Sequence, residues 1–220
     1  MKTTKRHQFI QLLLELEETQ ILEITKQRLQ SGEPPFEIIE DAQEAMQLVG
    51  ERYEQGDYYI SSMMMAGEIF REVIEIVEPL LVQQATSKIS GVILLGTVEG
   101  DIHDIGKNIY QILLRANGFT VIDLGVDVEP DHFVEKILEV KPDIISLSGL
   151  LTVAYDAMKK IIAKVRSLDD ETIAQTPFII GGGTINEMVC GFVGADYWAT
   201  DAMVGVQICK QIIAEKSKSA

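Results

Sequence analysis

The sequence predicts two domains of different class: a bundle of four helices, then an α/β domain whose five strands form a doubly wound parallel sheet. Two observations carry this. Residues 1–88 place apolar side chains at helical spacing throughout. From residue 89 onward, short apolar runs rich in β-formers alternate with amphipathic stretches, the pattern of a parallel sheet covered by helices on both faces. The domains are thus expected at 1–88 and 89–220, with the small, polar residues 83–90 as the linker, and a chain of 220 residues accommodates both.

In the first half, Phe9, Leu13 and Leu16 share one helical face. Thr19 suits the cap of a second helix that runs to about residue 29 and ends at Ser31-Gly32. Pro34 and Pro35 fit the first turn of a third helix, with its stripe at Ile39, Ala42, Met46 and Val49. Gly56-Asp57 breaks the chain before a fourth, striped by Met63, Ala66, Phe70, Val73 and Val77. Short connections between amphipathic helices read as a small bundle. In the second half the strand runs are 92–95, 120–124, 144–147, 178–180 and 197–199. Helices are expected at about 105–117, 130–140, 152–167, 184–193 and 201–215. Strands this uniformly apolar are covered on both sides, which is the flavodoxin- or Rossmann-like arrangement.

The formal net charge of −15 argues against nucleic acid and against anionic membrane surfaces, because phosphates need a surplus of Lys and Arg. No run spans a bilayer, and the basic residues 1–8 lead into acids rather than an uninterrupted apolar stretch, so no export signal is expected. Cys190 and Cys209 lack metal-site spacing and read as small buried apolar residues, in keeping with a reducing cytoplasm.

Ligands of such sheets bind beyond the C-terminal ends of the strands. The loop after the first strand holds Gly100-Asp101-Ile102-His103-Asp104-Ile105-Gly106, which is neither GxGxxG nor a P-loop. A carboxylate two residues from a histidine can bind one ring nitrogen and leave the other free for a metal. One histidine is not a metal site, unless the metal arrives already held by a macrocycle. The loop after the third strand, Ser146-Leu147-Ser148-Gly149-Leu150-Leu151-Thr152, offers hydroxyls to a buried polar ring; equally, Ser148 or Thr152 suits a helix N-cap. The loop after the fourth, Gly181-Gly182-Gly183-Thr184, permits close approach to the backbone.

The ordered set Asp101-x-His103-x-x-Gly106, Ser148-x-Leu150 and Gly181-Gly182 resembles the cobalamin-binding domains. The stretch from Val49 through Tyr53, Gly56-Asp57 and Tyr59 to Glu78-Pro79-Leu80 is similar to the helical cap of cobalamin-dependent methionine synthase. More closely still, it resembles the free-standing corrinoid proteins of methanol and methylamine methyltransferase systems. The resemblance covers nearly the whole chain. It implies a cobalamin cofactor, as methylcobalamin and the Co(I) corrinoid, bound base-off with His103 on the lower face of cobalt and Asp101 on its other nitrogen. Gly100, Ile102, Asp104 and Gly106 would flank this ligand. Ser148, Leu150 and Thr152 would line a groove for the displaced nucleotide tail, Gly181, Gly182 and Gly183 would let the tail pass, and Ala202 would touch it from the last loop. Tyr59, and Glu44 at the corrin edge, would belong to a cap over the methyl-bearing face, although Met63-Met64-Met65 also fits core filler. Where methionine synthase completes an Asp–His–Ser relay, this chain has Ala154, and Thr152, Tyr155 or water would have to substitute.

The implied role is that of a methyl carrier with no catalytic residue of its own. Its implied partners are a donor-specific methyltransferase, an acceptor methyltransferase for a folate or thiol, and a reductive activation protein. The competing readings are a cobalamin-dependent photoreceptor, a mutase-type cobalamin subunit, and a cofactor-free receiver with Asp101 and Asp104 as its acidic phosphorylation site.

Overall fold

The computed structural model describes residues 2–83 and 91–219. The chain forms two compact units, Met1–Gln84 and Ala85–Ala220. The expected linker lies outside the described residues, apart from Gln83, as does the expected boundary between 88 and 89.

The first unit consists of α1 (Lys2–Leu14), α2 (Glu18–Gln30), α3 (Pro35–Glu54) and α4 (Ile60–Gln83). Its core is the expected stripe material: Phe9, Leu13, Ile39, Ala42, Val49, Ala66, Phe70, Val73 and Val77 are all buried. Two expectations fail at the first connection. Leu16 is not on α1 but turns the chain in the left-handed region at φ 60°, and Glu17, not Thr19, precedes α2, with no side-chain cap. The reversal thus comes before Thr19, which falls in the helix's first turn. Pro35 opens α3 as expected.

A buried ion cluster ties three of these helices together. Arg28, 1% exposed, lies 5.0 Å over the Phe9 ring. Its guanidinium donates to Glu33 at 2.5 Å and Asp41 at 2.6 Å, and Asp41 also accepts from Arg6 Nε at 2.6 Å. A guanidinium at this depth is tolerable only because paired carboxylates offset its desolvation.

The second unit alternates β1 (Val92–Thr97), α5 (Ile105–Ala116), β2 (Thr120–Asp123), α6 (Pro130–Val140), β3 (Ile144–Ser148), α7 (Ala154–Arg166), α8 (Glu171–Ala174), β4 (Phe178–Gly181), α9 (Glu187–Val193), β5 (Tyr197–Ala199) and α10 (Ala202–Ser219). The strands run parallel in the order β2-β1-β3-β4-β5. On one face, Leu94, Ile145, Leu147, Phe178 and Ile180 pack with Phe133 and Ile137 of α6, Met158, Ile161 and Val165 of α7, and Val193 of α9. The other face carries α5 against α10, where Tyr110 lies 3.1 Å from the Cys209 thiol. Both cysteines are buried and free.

The one-turn helix α8 was not expected; Asp170 caps it by accepting from Thr172 and Ile173 N–H. Helices α7 and α9 begin later than expected. Asn186 caps α9, accepting from the Val189 N–H at 3.1 Å. At α7 the capping reading of Ser148 and Thr152 is overturned: Ser148 is the last residue of β3, and Val153 precedes α7 with no side-chain cap.

The connection order reverses between β1 and β3, and in doubly wound sheets this switch point is where the loops diverge and a ligand fits.

Candidate functional site

The β1–α5 loop is shaped by anchors on both sides. Gly100 takes φ +84°, and its N–H donates to Asp127 Oδ1 at 2.8 Å. The Asp127 N–H returns the bond to the Asp101 carbonyl at 3.0 Å. Thr97 Oγ1 donates to the His103 carbonyl at 3.2 Å. Between these ties Asp101 turns inward and His103 outward.

The Asp101 carboxylate is 1% exposed and accepts four hydrogen bonds. Oδ1 takes the His103 backbone N–H at 3.0 Å and the His103 ring Nδ1 at 2.6 Å. Oδ2 takes the backbone N–H groups of Leu150 at 2.6 Å and Leu151 at 3.0 Å. Burial by itself raises the Asp101 pKa, but the Leu151 and His103 amides, the His103 ring and the Leu150 amide outweigh it and bring the group down to about 2. A carboxylate can only accept, so the ring nitrogen facing it carries the proton, and in the neutral imidazole the lone pair is on Nε2. The His103 side chain is 50% exposed, and the two loops joined at Asp101 carry exposed apolar residues: Ile102 at 71% on the first, Leu151 and Val153 on the β3–α7 loop. Val153 lies 3.6 Å from where a Gly100 Cβ would stand.

Leu150 and Leu151 are positioned by two glycines. A Cβ on Gly182, at φ +148°, would stand 2.0 Å from the Gly149 carbonyl oxygen. One on Gly149 would stand 2.6 Å from the Ala154 Cβ. The Gly149 N–H donates to the Gly181 carbonyl at 3.0 Å. The close approach that the glycine run permits at Gly182 is therefore filled by the protein's own β3–α7 loop. Gly181 and Gly183 are less crowded, their Cβ positions meeting the Ala199 carbonyl at 3.4 Å and Leu150 Cδ1 at 3.5 Å.

The other expected residues divide. Ser148, Leu150, Thr152 and the three glycines share the C-terminal edge of the sheet with His103, because Thr97, Ser148 and Gly181 lie side by side in register. Gly106 sits in the open first turn of α5, with nothing within 4 Å of its Cβ position. Asp104 accepts from the Asn108 amide at 3.1 Å, a local tie. Ala202 is half-buried at the start of α10, where Asp201 accepts from the Val204 N–H at 2.9 Å. On the first unit, Tyr59 is 79% exposed just ahead of α4, and Met64 and Met65 are exposed as well, which rules against core filler for these two, while Met63 is half-buried. Glu44 pairs with Arg6 on the helical unit, and this engages its carboxylate locally. Neither Thr152 nor Tyr155 donates to Asp101. The Asp101 oxygen away from His103 is held by the Leu150 and Leu151 amides, donors that carry no side-chain signature.

Two family models, each described as a B12 binding domain, match residues 91–207 and 5–78. This chain belongs to the cobalamin-binding corrinoid proteins. Its cofactor is cobalamin. Trimethylamine corrinoid protein 2 of Methanosarcina acetivorans is 36% identical over 87% of this chain and 89% of its own. The monomethylamine corrinoid protein of Methanosarcina barkeri has the same fold, with a TM-score of 0.88 over 96% of this chain and 100% of its own at 24% identity. The methanol:cobalamin methyltransferase complex of the same organism matches with a TM-score of 0.52 and 28% identity over 97% and 81%. Corrinoid proteins of this kind are components of methyltransferase systems.

The donor set suits the cofactor. Among the described residues no group of three or more His, Cys, Asp or Glu side chains is placed to hold a bare ion. A metal already held in a macrocycle asks the chain for little more than one nitrogen donor, and His103 would offer it, on a loop joined through Asp101 to one that carries the exposed apolar Leu151 and Val153. The cofactor-free receiver reading is overturned by the match to the B12 binding domain; of its two acids, Asp101 is buried with both oxygens engaged and Asp104 accepts from Asn108. Among the described residues no helix is long and apolar enough to cross a membrane.

Proposed function

We propose that this corrinoid protein carries a methyl group from a donor-specific methyltransferase to a second methyltransferase whose acceptor is a folate or a thiol, with His103 Nε2 as the lower ligand of base-off cobalamin. When bound, the corrin supplies a metal centre that takes and gives a methyl group. The chain supplies orientation and burial. Asp101 fixes the tautomer and plane of the His103 ring, as a second-shell carboxylate does for a ligating histidine. The exposed apolar surface at Tyr59, Ile60 and Met64 is the part of the helical unit proposed to shield the methyl group, and Ser148, Thr152, Gly106 and Ala202 are proposed to contact the nucleotide tail. A reductive activation protein is the third proposed partner, and the cytoplasm the proposed location, in keeping with two free cysteines.

The observation that carries this reading is the 2.6 Å bond from His103 Nδ1 to a buried carboxylate, which directs Nε2 of the neutral ring away from that carboxylate at a half-exposed position. The test is His103→Ala, reconstituted with cobalamin and reduced to the Co(II) state. Wild type is expected to show electron-spin splitting from one axial nitrogen that changes when the protein's histidines are labelled with nitrogen-15, and the variant to lose the label-sensitive splitting while retaining cofactor. A variant with the wild-type spectrum would remove His103 as the ligand.

A further inference from the structure

The loops after β3 and β4 are joined by a hydrogen-bond chain that none of the cofactor-site residues above explains. Tyr155 Oη lies 2.9 Å from Thr184 Oγ1 and 3.3 Å from the Thr184 carbonyl. Thr184 Oγ1 lies 2.7 Å from the Leu150 carbonyl. The proton count fixes the direction. A carbonyl only accepts, so the Thr184 hydroxyl spends its single proton on Leu150, and Tyr155 must donate to Thr184.

The Leu150 carbonyl and the Leu151 N–H belong to one peptide unit, which is planar and trans. Its oxygen is anchored by Thr184, and its N–H, on the opposite side of the same plane, donates to Asp101 Oδ2 at 3.0 Å. Holding one end of a rigid plane aims the other. Donation into the carbonyl also polarises the amide and strengthens the bond it makes. The chain Tyr155 → Thr184 → Leu150–Leu151 → Asp101 ← His103 is then continuous, every proton pointing toward the carboxylate.

We infer that Thr184 and Tyr155 are positioning residues for the axial histidine: they set the Leu150–Leu151 peptide that holds Asp101, which in turn holds the His103 ring. This rests on the reading of His103 as the ligand. It also accounts for Ala154, because a peptide plane braced by two hydroxyls stands where a serine hydroxyl is absent.

The test uses the full chain as Thr184→Val, which keeps the shape and removes the donor, Thr184→Ser, which restores it, and Tyr155→Phe. The first readout is hydrogen exchange of the Leu151 amide in the cofactor-free protein. The second is the nitrogen-split fraction of the Co(II) signal after loading with cobalamin. Thr184→Val is expected to speed Leu151 exchange about tenfold, the order of one lost hydrogen bond, and to lower the nitrogen-split fraction. Thr184→Ser is expected to return both to wild type, and Tyr155→Phe to give a smaller change in the same direction. A role confined to general stability would move unfolding without moving the split fraction. Wild-type values of both readouts in Thr184→Val overturn the inference. A wild-type protein without nitrogen splitting overturns the ligand reading instead, and the exchange data still decide whether Thr184 positions the peptide.

Discussion

Asp101→Asn is the sharpest perturbation of the site, because four donors converge on one carboxylate. Two N–H groups approach each oxygen. An asparagine keeps one acceptor oxygen and presents an NH2 group where the other stood. If its oxygen faces Leu150 and Leu151, the amine confronts the His103 N–H and ring; flipped, it confronts the two leucine amides. In the first orientation the His103 backbone N–H loses its acceptor and the ring keeps its contact only by moving its proton to Nε2; in the second the two leucine amides lose theirs, at a cost of about 1–3 kcal/mol per unpaired group. The carboxyl itself gives a second measure. Its pKa is lowered from 3.8 to about 2 in the fold, which corresponds to about 2 kcal/mol of stability. The folded value lies below the unfolded one, so this contribution is complete above about pH 4 and is lost as pH falls through 2. The expected loss in Asp101→Asn is therefore about 2–4 kcal/mol at pH 7, shrinking as pH falls from 4 toward 2. Urea unfolding followed by Trp198 fluorescence is the assay, since this single tryptophan lies on β5 and reports on the unit that holds the site. A loss under about 1 kcal/mol at pH 7, or a difference that stays constant from pH 5 to 2.5, would refute the assignment of Asp101 as a charged, four-bonded anchor.

Gly182→Ala is expected to destabilise the second unit by about 2–4 kcal/mol, from overpacking against the Gly149 carbonyl and a left-handed φ; Trp198-detected unfolding within 1 kcal/mol of wild type would count against it. Arg28→Met is expected to lower the melting temperature of the helical unit, since Asp41 and Glu33 lose a buried partner at a cost of about 3–5 kcal/mol, and an unchanged far-UV melting curve contradicts this. Burial pushes the Cys190 thiol up, with Asp196 and Glu187 adding to it. Burial likewise pushes Cys209 up to about 11 despite its hydrogen bonds. Both are expected to resist a thiol reagent at pH 8 in the folded protein and to react on unfolding, and rapid labelling of either in the folded state would show the packing to be wrong.

The sheet was legible because each strand is a short apolar run flanked by turn residues, and the helical unit because its stripes recur at helical spacing. What escaped sequence reading was local. Thr19 resembled a cap, yet Leu16 turns the chain ahead of it in a conformation that leucine rarely adopts. Thr152 and Ser148 resembled caps because hydroxyls before a helix often are, but Asp101 claims the Leu150 and Leu151 amides that a Ser148 cap would need, and the Leu151 and Thr152 carbonyls take those of Ala154 and Tyr155. At the site, Asp101 and His103 were legible as a pair from their spacing alone. Leu150 and Leu151 were not legible as donors, because their contribution is backbone N–H, which every residue but proline owns. Gly182 was legible as a place of close approach, but sequence could not say that the approaching group is Gly149. The only cue for the Tyr155–Thr184 chain was a threonine after three glycines, whose partner lies 29 residues earlier.

Sheet topology and ligand geometry are linked at one carboxylate. The β1 and β3 loops leave the sheet on either side of the switch point, and nothing in strand pairing beyond Thr97 and Ser148 keeps them in register. Asp101 does so, one oxygen bound to its own loop and the other to the loop across the gap. A histidine oriented through a single flexible residue would keep its ring position only loosely. Because this anchor is shared by two loops that are themselves bonded to Asp127 and Thr184, the carboxylate that receives the ring is fixed from several segments of chain, and the ring has one defined partner to return to. The methyl carrier proposed here meets two unlike partners in turn, and a histidine whose supporting carboxylate is held from both sides of the switch point would return to one place each time it ligates, without any additional catalytic side chain.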